Sequence, residues 1–104
     1  MIKYNIFVTP EAYDDINNIY DFIYYNYHAP ITAKRYIEGL YKKLKSLSSC
    51  AGSFKTETRL SIVNRYGLNI RRINYKKCAA LYLVHDTEVY ILRVLNSSTI
   101  SGIF

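Results

Sequence analysis

Three arginines, Arg71, Arg72 and Arg93, stand with Lys76 and Lys77 in one stretch of short apolar runs. Guanidinium and ammonium groups gathered in this way can stabilise charge on a phosphate or pair with carboxylates of an acidic partner. Arginine is costly to bury unpaired, so all three are expected to line an exposed face or a cleft. Other chemistries are poorly supplied. There is no serine or cysteine nucleophile constellation and no glycine-rich phosphate loop. His28 precedes the helix-ending Ala29-Pro30 and His85 lies in a turn far from the arginines, so both read as surface histidines. Cys50 and Cys78 have no second Cys or His at ligand spacing, which reads as two buried or idle thiols, not a zinc site or a disulfide. No metal or cofactor is called for.

The element that must hold these cations is a β-meander. Residues 68–73, 78–84 and 89–95 are short runs rich in β-branched or aromatic residues, separated by polar turns at 74–77 and 85–88. The middle run is apolar almost throughout, as expected of a central strand or one covered on both faces. Arg71, Arg72 and Arg93 fall in the flanking runs.

The charge is divided. Residues 1–33 hold Lys3 against Glu11, Asp14, Asp15 and Asp21, a balance of −3; residues 34–104 hold thirteen Lys and Arg against four acids, +9, and the chain sums to +6. A basic half of this kind attracts phosphate backbones or an acidic protein. With 104 residues, half of them apolar, the chain suits one domain, 1–104, with a two-layer core. No apolar run approaches the roughly 18 residues that span a bilayer, and no signal layout opens the chain, so a cytoplasmic protein without membrane contact is expected.

In chain order, residues 4–8 read as a strand. Thr9-Pro10-Glu11 then opens a helix with an N-cap, a first-position proline and a carboxylate on the dipole. Ala12, Ile16, Ile19, Tyr20, Ile23 and Tyr27 form its apolar stripe, and Pro30 stops it near Tyr27. A second helix carries the stripe Ala33, Tyr36, Ile37, Leu40, Leu44 and Leu47, with Lys34, Arg35, Lys42, Lys43 and Lys45 on its flank. The helix tyrosines read as core or boundary residues with a wet hydroxyl. Residues 46–53 end the second helix, and Leu60, Ile62 and Val63 read as a short added strand. The fold expected is α+β: a two-layer sandwich of an N-terminal strand, an antiparallel helix hairpin, and a meander of three or four antiparallel strands. Both helices cover one face of the sheet, so the other face should stay open to solvent or to a partner.

These pieces, in this order, resemble the RelE/ParE superfamily of toxins from bacterial type II toxin–antitoxin modules, and within it the ParE and plasmid-stabilisation branch. The resemblance runs through Thr9-Pro10-Glu11-Ala12, Asp15-Ile16-Asn17-Asn18-Ile19-Tyr20-Asp21-Phe22-Ile23, Ala33-Lys34-Arg35-Tyr36-Ile37, Gly67-Leu68-Asn69-Ile70-Arg71-Arg72-Ile73, Ala80-Leu81-Tyr82-Leu83-Val84 and Val89-Tyr90-Ile91-Leu92-Arg93-Val94-Leu95. It implies a toxin that acts by binding a cellular target, DNA gyrase in the ParE branch, and that is neutralised by a cognate antitoxin in a hetero-oligomer. The antitoxin would lay an acidic or amphipathic segment over the groove between helix hairpin and sheet. Arg71, Arg72, Lys76, Lys77 and Arg93 would bind target or antitoxin.

Two alternatives stand beside this. A RelE-like endonuclease cutting mRNA on the ribosome would use Arg72 and Arg93 for charge stabilisation and Tyr82 as proton donor, a structural tyrosine being the other role open to Tyr82. Arg93 has a second role open as well, an ion pair with Glu88 or a helix carboxylate. The family pattern usually continues with a histidine and one or two arginines where this chain has Asn96-Ser97-Ser98-Thr99, which removes a general-acid candidate. The last alternative is an interaction module that keeps the toxin fold without toxicity.

Overall fold

The computed structural model describes residues 3–54, 56, 60–67 and 69–96. The expected strand start at Leu68 and the Ser97-Ser98-Thr99 segment lie outside them. Strand β1 (Asn5–Val8) leads into helix α1 (Pro10–Tyr27), and helix α2 (Pro30–Lys45) follows at once. Next come a one-turn helix α3 (Leu47–Cys50), a 3-10 turn (Ala51–Ser53) and a short helix α4 (Leu60–Tyr66). Strands β2 (Ile70–Tyr75), β3 (Cys78–His85) and β4 (Glu88–Asn96) complete the order.

Local chemistry sets the helix ends as expected. The Thr9 hydroxyl accepts from the Ala12 N–H at 3.3 Å and Pro10 is the first helical residue. His28 closes α1 in a left-handed conformation, φ 48°, and Pro30 opens α2 two residues later. The two helices pack as an antiparallel hairpin on one face of the sheet. The sheet has the order β1-β4-β3-β2, with β1 parallel to β4 and the other pairs antiparallel. The turns are tighter than the four polar residues suggest. Tyr75 pairs with Cys78 and His85 with Glu88, which leaves two-residue turns whose first residues, Lys76 and Asp86, take φ of 50° and 54°.

The main core lies between the hairpin and the sheet. Ala12, Ile16, Leu40, Leu44 and Leu47 meet Ile73, Ala80, Tyr82, Val89, Ile91 and Val94, all buried. A buried Leu, Ile or Val of this kind contributes about 1.5–3 kcal/mol. Gly39 lets α2 approach the sheet, since a methyl group there would run into the Tyr75 hydroxyl.

Two expectations need correction. Leu60–Tyr66 is a helix and not a strand. Its end is marked by Gly67 at φ 102°, whose N–H bonds back to the Val63 carbonyl at 2.9 Å, a glycine stop that outweighs the β-branched composition. The second sheet face is also not left bare. Ile70, Ala79 and Leu81 form a second buried cluster there, with Tyr66 of α4 packed against it alongside Leu83, Leu92 and Leu95. Ile70 and Leu81 point away from the hairpin and need apolar cover, which the short helix supplies in part.

A third difference concerns the helix tyrosines. The buried positions of α1 are Ala12 and Ile16, in its first half. In its second half Tyr25 and Tyr27 are 68% and 67% exposed, well beyond a boundary position with only its hydroxyl wet.

Candidate functional site

Strand β1 accompanies β4 only from Glu88 to Ile91. Thr9 ends that pairing: its N–H reaches the Ile91 carbonyl at 3.1 Å, and its hydroxyl donates to the carbonyls of Ile91 at 2.8 Å and Leu92 at 3.1 Å. Here β4 slips register. Tyr82 stands opposite Ile91 while Leu81 stands opposite Arg93, so Leu92 is a bulge that re-aims its neighbours. Beyond it β4 is an open edge, with no strand alongside among the described residues.

Asp15 of α1 occupies that edge. Its Oδ2 accepts from the Val94 N–H at 3.0 Å and from Arg93 Nε at 2.7 Å, and its Oδ1 accepts from the other arm of Arg93 at 3.0 Å. The pair is largely shielded, 28% exposed at Arg93 and 12% at Asp15. The Asp15 hydrogen bonds hold the Arg93 guanidinium's pKa above its ordinary value. Edge strands with free N–H groups invite a partner strand, and this carboxylate blunts one such group.

Next to this latch a groove of about 390 Å³ opens between the hairpin and the end of β4. Asp15, Asn18, Ile19, Phe22 and Tyr27 line it from α1, Tyr36 from α2, Lys77 and Cys78 from the β2–β3 hairpin, and Val94, Leu95 and Asn96 from β4. The Tyr36 hydroxyl and Cys78 Sγ are 2.9 Å apart, and burial pushes both groups toward their neutral forms. Cys78 is therefore a poor nucleophile and acts as part of the wall. The rim is strongly apolar. Phe22 is 56% exposed and packs edge-on against Tyr27, itself 67% exposed. Such a patch beside a groove marks a binding surface.

The five cations do not form one site. Arg71 lies on the hairpin side of the sheet, where its guanidinium donates to the Phe54 and Gly52 carbonyls and ties down the segment after α3. Arg72 lies on the opposite side, with Nε bonded to Asn74 Oδ1 at 2.9 Å. Arg72 and Arg93 both stand opposite Leu81, one on each neighbouring strand, yet the Arg93 head turns to Asp15. Lys76 sits over the Tyr36 and Tyr75 rings, 5.6 and 5.5 Å from their centroids. Lys77 enters the groove. Tyr82 is fully buried and donates to the Ala51 carbonyl at 2.7 Å; burial pushes its hydroxyl up to about 12. The structure thus places Arg72 and Tyr82 on opposite faces of the sheet and does not bring the three RNase candidates together.

The groove's apolar rim escaped the sequence reading. Its signal was Phe22, a large aromatic off the stripe of Ala12, Ile16, Ile19 and Ile23. Among the described residues no three His, Cys, Asp or Glu side chains cluster as a metal set, and no helix is long and apolar enough to cross a membrane.

Comparisons agree with this architecture. The chromosomal ParDE toxin–antitoxin system of P. aeruginosa superposes with a TM-score of 0.69 at 18% identity, over 90% of this chain and 96% of that one. The RelBE2 toxin–antitoxin complex of Mycobacterium tuberculosis superposes with a TM-score of 0.65 at 18% identity, over 91% and 99%. At such identity the likeness speaks for the fold. No curated protein matches the chain in sequence. The family model for the ParE toxin of type II toxin–antitoxin systems, parDE, matches residues 6–100, nearly the whole chain. The chain belongs to the ParE toxin family of type II toxin–antitoxin systems.

Proposed function

We propose that this toxin acts by binding its cellular target, DNA gyrase as in the ParE branch it resembles, and not by cutting RNA. The observation that carries the reading is the commitment of the would-be catalytic groups. The Tyr82 hydroxyl donates its hydrogen bond to the Ala51 carbonyl inside the core, and Arg93 is paired with Asp15. General acid catalysis needs a donor within reach of substrate, and charge stabilisation needs a cation aimed at it. A cognate antitoxin neutralises the toxin by laying an amphipathic segment in the groove beside β4. Apolar side chains of that segment sit on Ile19, Phe22 and Tyr27, and a carboxylate meets Lys77, which has no ion pair among the described residues. The two solved relatives described above are toxin–antitoxin assemblies, which supports a partner of this kind. The two proteins together form a cytoplasmic hetero-oligomer. Incubating the purified toxin with translating ribosomes and mapping mRNA ends tests the exclusion of cleavage: no new ends are expected at any dose, and site-specific ends would overturn it.

A further inference from the structure

We propose that the exposed face of α2, with Lys76 beside it, docks on the phosphate backbone of duplex DNA. None of the five α2 cations lines the groove, and the inference does not depend on which target the toxin inhibits. Ala33, Leu40 and Leu44 turn the apolar side of α2 into the core, while Lys34, Arg35, Lys42, Lys43 and Lys45 are exposed. Glu38 is the one acid on the helix, so five cations face a single carboxylate. Among the described residues none of the five is in an ion pair. Lys76 extends the field across the β2–β3 turn: its ammonium is held over Tyr36 of α2 and over Tyr75, the residue whose hydroxyl abuts Gly39.

The composition of this face selects the partner. From Lys34 to Lys45 the helix rises roughly 16 Å. That length of duplex carries on the order of ten phosphate charges. Protein interfaces are depleted in lysine and gain their affinity from buried aromatic or arginine anchors, whereas this face is mostly lysine with no exposed aromatic in it. Single strands are gripped by stacking platforms, and the exposed aromatics lie on α1 and, for Phe7, on β1, with none on α2. A membrane-surface helix inserts its apolar side, and that side of α2 is used in the core. Lysine point charges on a convex helix suit a regular phosphate backbone and read no sequence.

The test is fluorescence anisotropy of a short labelled duplex of arbitrary sequence, titrated with the toxin over a range of salt. Neutralising four or five phosphates gives log K against log salt a slope of about −4. The variant K34Q/R35Q/K42Q/K43Q/K45Q should lose roughly tenfold or more in affinity at low salt and flatten the slope, with its thermal midpoint unchanged. If the fivefold variant folds poorly, K42Q/K43Q carries the same test and should flatten the slope by about 2. Phe22→Ser, which alters the groove, should bind DNA as the parent does. Equal affinity of parent and charge variants, tighter binding to single-stranded DNA or RNA than to duplex, or binding confined to anionic vesicles or acidic peptides would each overturn the proposal.

Discussion

Asp15 and Arg93, 78 residues apart in sequence, meet through two hydrogen bonds of 2.7 and 3.0 Å, and the same carboxylate takes the Val94 N–H. One side chain of the first helix thus fixes the last strand where β1 stops covering it. Removing the carboxylate strands a shielded guanidinium and an edge N–H. Asp15→Ala is expected to cost about 2–4 kcal/mol in chemical denaturation, and Asp15→Asn less, since its carbonyl oxygen still accepts one bond. Arg93→Glu would set two carboxylates against each other and fail as a fold. Loss of toxicity in that variant reports stability and not target contact.

The pair also shows what the sequence could and could not convey. Glu88 or a helix carboxylate was the open reading for the partner of Arg93, and nothing separated the helix acids until the Leu92 bulge and the packing of α1 chose Asp15. Alternation along a strand already implies that Arg71 and Arg72 face opposite sides. Which side was covered depended on α4, hidden behind the β-branched Ile62 and Val63 although Gly67 was its visible stop. The hairpin, its caps and the strand order of the meander were legible because proline, threonine and stripe spacing act locally. A groove between hairpin and sheet was expected only from the family resemblance, and its lining was not legible, because it arises where the second half of α1 faces a strand end from the other end of the chain.

Tyr82 is expected to be structural. Tyr82→Phe leaves the Ala51 carbonyl without its donor and should lower stability by about 1–2 kcal/mol. Growth inhibition on induced expression should persist. A folded Tyr82→Phe protein without toxicity would favour a chemical role for the hydroxyl.

Stability should fall on the alkaline side. Burial favours the neutral phenol and raises Tyr82 from 10.0 to about 12, against the opposing pull of Arg71. A group whose folded pKa is raised contributes fully below its unfolded value and loses that contribution as pH climbs through the folded one. The Tyr82 contribution is thus complete below pH 10 and lost between 10 and 12. The Cys78 thiol, also raised by burial, acts in the same direction from about pH 9 upward. Thermal midpoints measured from pH 7 to 12 should hold and then drop, and the drop should be shallower in Tyr82→Phe.

The groove rim is expected to carry antitoxin affinity without carrying stability. Phe22 is more than half exposed, so Phe22→Ser should shift the thermal midpoint little. As an aromatic anchor beside the groove it should weaken the antitoxin complex by about 2 kcal/mol, some thirtyfold in Kd by calorimetry. Lys77→Glu should weaken it further at low salt than at high salt. Unchanged affinity in both variants would place the antitoxin elsewhere.

Gly39→Ala sets helix propensity against packing. Alanine favours the helix by about 1 kcal/mol, but its methyl would displace the Tyr75 hydroxyl from α2. Overpacking at a tight contact costs about 1–3 kcal/mol, so a net loss in denaturation midpoint is expected. A stabilised variant would mean that Tyr75 moves aside freely.

The most direct measurement is supercoiling of relaxed plasmid by purified gyrase with increasing toxin, repeated with the antitoxin added. Dose-dependent inhibition, relieved at equimolar antitoxin and retained by Tyr82→Phe, is the expected result. Full gyrase activity at saturating toxin, in a preparation that still arrests growth when expressed, would contradict the target assignment.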